Sequence, residues 1–261
     1  VRTLDPAAAE RTLAALERLP PFPPVAAAVL SRLGRADTGF RAVAEQIGCD
    51  AALAAQVLRL ANSPLIGGAR VTSLLAATTL LGVERLSALV VTLTLCKVIR
   101  PVSRLPAVRR LFRQNLAVAL LCREGAPVFD LEPDTAYTAG LLHDLGALAL
   151  LLAFPRDYAP LLDGCRGIEA LLRAERRAFD TDHMDAGALV ARNWRLPEFL
   201  YPVIATHHRP STQAPLLVLV GAAITRAAAA GFSLLDIPAA EPDLGLTEQI
   251  NGLELEFGLV I

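Results

Sequence analysis

Apolar residues recur at helical spacing along the whole 261-residue chain and nowhere sustain an alternation of period two. The pattern predicts an all-α fold. In the first half, helices are expected over residues 6–18, 25–33 and 40–47. The first is amphipathic, with Leu13 and Leu16 three apart, and Leu19-Pro20-Pro21-Phe22-Pro23-Pro24 ends it, because proline lacks an N–H donor and pushes the residue before it out of the α region. Asp50 is an N-cap for a fourth helix that places Leu53, Val57, Leu60 and Ala61 on one face. Asn62-Ser63-Pro64 closes that helix, and Gly67-Gly68 makes a loop. Thr72 or Ser73 caps a short helix ended by Gly82, and residues 83–99 form a long apolar one.

The second half reads as helices over residues 107–124, 134–152, 156–162, 168–177, 183–193, 197–207 and 215–230, followed by an irregular tail over 231–261. Between the halves, Arg100-Pro101-Val102-Ser103-Arg104-Leu105-Pro106 interrupts the apolar pattern with two prolines and two arginines. It marks a boundary between an N-terminal helical bundle, 1–104, and a C-terminal helical domain, 105–261. The connection is short, so the two are expected to pack together.

Composition sharpens this picture. The chain is 54% apolar but only 5% aromatic, so Leu, Val and Ala must fill the core, which favours helix over sheet. A net charge of −1 provides no field to attract nucleic acid or an anionic membrane surface. Cys49, Cys96, Cys122 and Cys165 are scattered without a C-x-x-C pair, the pattern of reduced thiols in the cytoplasm. Asp5, Glu10, Arg11 and Glu17 interrupt any apolar stretch near the start, so no signal peptide is expected. Two runs, 136–154 and 214–232, approach membrane length. The first contains His143-Asp144 and the second Arg226, charges too costly at a bilayer centre, so both read as buried core helices and not as membrane insertions.

That first run also carries the candidate chemistry. Leu141-Leu142-His143-Asp144-Leu145-Gly146 sets an imidazole beside a carboxylate in what should be the most buried helix, and an unpaired buried Asp is costly. Only four histidines occur: His143, His183, His207 and His208. With Asp144 they offer five metal-ligating groups from three helices. Two readings stay open. The groups hold a divalent metal, or they form a hydrogen-bonded core cluster in which Asp144 accepts from Gln114, Asn115 or a histidine while His207-His208 caps its helix. Trp194 reads as a core anchor.

Several strings of the first half, in order and spacing, resemble the HDOD domain, a bacterial signalling module related to HD-type phosphohydrolases. They are Leu19-Pro20-Pro21-Phe22-Pro23, Asp50-Ala51-Ala52-Leu53, Arg59-Leu60-Ala61-Asn62-Ser63, and Thr72-Ser73 followed by Leu80-Leu81-Gly82. The resemblance implies a helical bundle packed on an HD-like helical domain, with the Asn62-Ser63 turn facing the other half. In the related HD-GYP phosphodiesterases, which cleave cyclic di-GMP at a multinuclear metal centre, His183 and His207-His208 resemble metal ligands. The departures are as telling. Gln114 stands where those enzymes carry an earlier histidine, Ala222 where they carry a late aspartate, and Ala147 where a lysine follows the H-D-x-G element. No D-G-x-G-Y-P loop follows His208.

The expectation is therefore a cytoplasmic, non-catalytic signalling module with a degenerate metal site, His143, Asp144, His183, His207 and His208, flanked by Gln114 and Asn115 as ligand-binding candidates. It binds signalling proteins or a small ligand and needs no cofactor. Two rivals are kept: a metal-dependent phosphodiesterase or phosphohydrolase acting on cyclic dinucleotides or nucleotides, and a nucleotide sensor that does not hydrolyse. A divalent metal is the cofactor of the first rival.

Overall fold

The computed structural model describes residues 6–32, 39–64, 70–209 and 213–257. These form helices and turns with no strand among them. The Gly67-Gly68 loop lies outside the described residues. In the first half, helix α1 (Pro6–Glu17) is followed by α2 (Pro24–Leu30), α3 (Phe40–Gly48), α4 (Ala51–Ala61), α5 (Leu74–Leu81) and α6 (Val83–Ile99). The boundaries follow local chemistry. Asp50 accepts hydrogen bonds from the Ala52 and Leu53 amides, both at 3.0 Å, and Ser73 from Ala76 at 3.1 Å. Gly82, with φ of 80°, supplies the left-handed turn between α5 and α6.

After a 3-10 turn at Arg100–Val102 come α7 (Pro106–Gly125), α8 (Pro133–Leu142), α9 (Leu145–Ala153), α10 (Pro155–Gly164) and α11 (Ile168–Phe179). Then follow α12 (His183–Asn193), α13 (Leu200–Thr206), α14 (Pro215–Ala229) and α15 (Leu244–Glu256). Two expectations are corrected here. The tail is not irregular throughout: Asp243 caps α15 by accepting from the Leu246 amide at 2.9 Å, and Leu246 and Ile250 bury its inner face. The helix expected over 134–152 is broken at His143-Asp144, where Asp144 adopts φ −97° and ψ 30°. Neighbouring side chains on a regular helix diverge by about 100°. The break lets an adjacent imidazole and carboxylate turn toward one place.

One continuous hydrophobic core runs from Leu16 to Phe257. α6 packs on α8, α7 lies against α8 and α14, and α9 crosses α12. The first helix docks away from its neighbours in sequence, on α9, α11 and α12. Leu16 is its buried anchor, whereas Leu13 remains 46% exposed. Phe22 of the proline-rich string stacks on Trp194 with ring centroids 5.1 Å apart, which buries both. Pro133–Ala153 is long and apolar enough to cross a membrane, but 89% of its 18-residue apolar stretch is buried inside the protein, as suits a core helix. The four cysteines are free, and Cys96 and Cys122 are buried.

The last helix joins the halves. Glu256 receives the Arg59 guanidinium and the Ser63 hydroxyl, the latter at 2.5 Å. Arg113 of α7 pairs with Glu254, donates to Asn251 at 3.0 Å and lies over the Phe232 ring. Asn62 instead secures its own loop, donating to Val71 O at 3.0 Å and accepting from Val71 N at 2.8 Å.

Candidate functional site

Two glycines decide how closely the site helices approach. Gly146 of α9 lies so near α12 that a Cβ there would fall 1.7 Å from the His183 carbonyl oxygen. Gly187, one turn into α12, faces the Gly146 backbone from the other side. Their contact brings the first residue of α12 beside Asp144. Gly140 does the same between α8 and α7, where a Cβ would meet the Ala119 backbone at 2.9 Å. Gln114 and the His143-Asp144 break thereby share one buried space.

Within it, His143, Asp144 and His183 are at most 1% exposed and His207 is 4% exposed. Three imidazoles use Nδ1 elsewhere: His143 on Gly140 O at 2.7 Å, His207 on Val203 O at 3.1 Å, and His183 on both Glu175 carboxylate oxygens at 2.9 Å. A carbonyl or carboxylate oxygen only accepts, so each Nδ1 carries a proton, and a ring in its neutral form has its lone pair on Nε2. The Nε2 atoms converge on Asp144: Oδ1 lies 3.6 Å from His183 Nε2 and 3.5 Å from His207 Nε2, while Oδ2 lies 3.4 Å from His143 Nε2. Asp144, His183, His207 and His208 each present a ligand atom within 4.8 Å of the others.

The fifth sequence-predicted group, His143, is turned another way. The Gln114 amide nitrogen lies 3.4 Å from His143 Nε2 and 3.3 Å from Asp144 Oδ2. Both are acceptors, so the amide donates to each. A flipped amide would set its oxygen against the carboxylate. Asn115, the other ligand candidate, lines a small void with Leu95, Ile99 and Leu148 between α6, α7 and α9, whose lining includes none of the histidines. Ala222 is exposed and does not face the cluster; α14 buries Leu219, Val220, Ala223 and Ala227 instead. The register shift leaves the chemistry unchanged, since α14 contains no Asp, Glu, His or Cys. Ala147 is fully buried.

Glu175 is the functional residue that the sequence reading missed. Fully buried, it accepts from the Tyr158 hydroxyl at 2.6 Å and from the His183 amide at 3.0 Å besides gripping Nδ1. The signal was present: Leu171, Leu172, Glu175 and Phe179 form the buried stripe of α11, with one carboxylate among apolar residues.

Electrostatics bind these groups into one unit. Burial would raise the Asp144 carboxyl, but His143, with His207 and His183, holds it well below the usual carboxylate range. Burial would lower His183, yet Glu175 and Asp144 lift it to about 9. Burial and the adjacent His207 push His208 down to about 2. At the edge, Asp182 caps α12 and accepts from Arg176 at 2.7 and 3.1 Å, and Arg209 stands 3.8 Å away.

At the cluster, Asp144 Oδ1, His183 Nε2, His207 Nε2 and Gln114 Oε1 are buried without a hydrogen-bond partner. Orphaned groups this deep are costly. A mixed set of imidazoles and one carboxylate fits a single divalent transition metal. It does not fit a second one, because Gln114 occupies His143 and α14 offers no ligand.

The HDOD domain profile matches residues 19–210, most of the chain. The protein belongs to the HDOD domain family. Among solved structures it is similar to an HDOD domain protein with unknown function from Geobacter sulfurreducens, at 26% identity and TM-score 0.75, over 94% of this chain and 88% of that one. It is also similar to a protein from Shewanella amazonensis SB2B named as a phosphohydrolase, at 25% identity and TM-score 0.67, over 96% and 89%. Another from that organism, named as a metal-dependent phosphohydrolase, is 18% identical over 96% and 99%, with TM-score 0.56; this shows a shared fold alone. No curated protein matches the sequence.

Proposed function

We propose that this chain is a non-catalytic signalling module of the cytoplasm that acts by binding protein partners, and that its His–Asp cluster seats one divalent metal as a structural centre. The observation that carries the non-catalytic reading is Gln114. Its amide donates to both His143 and Asp144 Oδ2, where the related hydrolases present another metal ligand. The orphaned atoms of Asp144, His183 and His207, with His208 beside them, would hold the ion. A bound metal of this kind supplies Lewis acidity and lowers the pKa of bound water. Glu175 orients His183, and Gln114 fixes the Asp144 carboxylate. Membership of the HDOD family supports a signalling role, for which binding of protein partners is our reading; free cysteines agree with a reducing compartment.

Elemental analysis of the purified protein, with turnover assays on cyclic di-GMP and bis(p-nitrophenyl) phosphate in manganese, tests both parts. About one ion per chain is expected, lost on Asp144→Asn, with no turnover. Hydrolysis abolished by Asp144→Asn would establish the phosphodiesterase instead. A metal-free protein that takes up no zinc or manganese on reconstitution would leave the hydrogen-bonded cluster as the answer.

The second reading is a nucleotide sensor. Arg176 and Arg209 share Asp182 one residue before His183, and their side chains are half exposed, at 50% and 42%. Such a pair suits a phosphate. A melting-temperature rise with cyclic di-GMP that vanishes in Arg209→Ala, without turnover, would favour it.

A further inference from the structure

A cleft lined by Asp50, Leu93 and Lys97 shares no residue with the His–Asp cluster. It holds about 570 Å³ between the start of α4, the last two turns of α6 and the end of α15, a volume within the range of small-molecule sites. Asp50, Ala52 and Leu53 of the family string line it, which gives that string a place beyond helix capping. We propose that this cleft binds a small amphipathic anion, a flat apolar body bearing one carboxylate or phosphate group.

Leu53, Leu93 and Phe257 supply apolar walls from three helices. Lys97 and Arg100 supply two cations at one rim, three residues apart and so on the same side of the chain as it leaves α6. Asp50, the one carboxylate among the described lining residues, spends Oδ1 on the Ala52 and Leu53 amides, and its Oδ2 stands 4.0 Å from the Lys97 Nζ, whose side chain is 71% exposed. A pair that loose and wet leaves the lysine available. Arg100 makes no ion pair among the described residues. The rim therefore carries a net positive charge over a floor that mixes these apolar side chains with the polar Gln56, Thr94 and Ser103. A bare metal ion would find one carboxylate against two cations, and an uncharged apolar ligand would leave both cations unused.

Naphthalene probes test this by their own fluorescence: 1-naphthoate, 1-naphthyl phosphate and the uncharged 1-naphthalenemethanol. Wild-type protein is expected to bind one or both anions saturably, at least about tenfold tighter than the alcohol. The surface variant Lys97→Gln/Arg100→Gln, with an unchanged melting temperature, should lose that preference and bind the alcohol as before. The carboxylate and phosphate arms then show which acid group the rim selects. Anion binding unchanged in the double variant, an alcohol that binds as tightly as the anions, or no saturation with any probe would each overturn the proposal. Since the Asp144 cluster is not involved, these outcomes are independent of its metal content.

Discussion

Gly146 and His183 are in direct backbone contact, so close that a methyl group on the glycine would occupy the histidine's carbonyl oxygen. This contact sets the α9–α12 crossing and, with it, the distance from Asp144 to His183. Helices meeting at small residues cannot slide apart slightly to admit a methyl without repacking their whole interface.

Gly146→Ala is accordingly expected to cost about 3 kcal/mol or more, at or beyond the upper end for overpacked cores. Gly187→Ala should cost less, because its methyl would meet Ile204 Cγ2 at 2.7 Å and the Gly146 backbone at 3.0 Å, against a backbone oxygen at 1.7 Å for Gly146→Ala. Urea unfolding of the two variants checks the order. Equal losses would mean the crossing tolerates either methyl alike.

Glu175 serves three donors at once: the Tyr158 hydroxyl, the His183 amide and the His183 ring. Glu175→Ala leaves them buried without an acceptor, an expected loss of about 2–4 kcal/mol from stranded donors. Glu175→Gln keeps the shape and one acceptor oxygen, so it should fall between. Metal retention provides the second readout, since a ring no longer gripped at Nδ1 loses its aim at Asp144.

The metal-free protein should be most stable near pH 6.5, with stability falling on both sides. His207 and His208 are depressed in the fold, so they resist protons that the unfolded chain accepts below about 6.5. Stability therefore falls on acidification. His183 is raised to about 9, so its contribution is full below about 6.5 and is lost as pH climbs through 9. Melting temperatures from pH 5 to 10 (with chelator) check this, and His183→Gln should flatten the alkaline limb alone.

The clasp made by α15 should divide unevenly. Arg59 is half exposed in its pair with Glu256, so Arg59→Ala is expected to cost at most about 1 kcal/mol. Arg113 engages Glu254, Asn251 and the Phe232 ring, and its pair is more sheltered. Arg113→Ala should cost about 1–2 kcal/mol. Thermal melts of both variants check the ranking.

Much of this was legible in the chain. Proline, glycine and capping residues set most helix ends because each acts through its own backbone or its next neighbours: Asp50, Ser73 and Gly82 behave as their local chemistry requires. The α15 helix escaped notice because its apolar face is short; Leu246 and Ile250 carry it nearly alone. Glu175 escaped because a carboxylate on an amphipathic helix ordinarily faces water. Ala222 was assigned to the wrong face because a register on α14 depends on which side its neighbours cover.

The sequence by itself determined an all-α chain and the donor types available to its centre, since periodicity and residue chemistry are local properties. Only the tertiary structure decided that four donors meet while Gln114 takes the fifth, and that Asn115 lines a void none of them shares. Those outcomes depend on the approach of helices distant in the chain, which close packing at Gly140, Gly146 and Gly187 fixes.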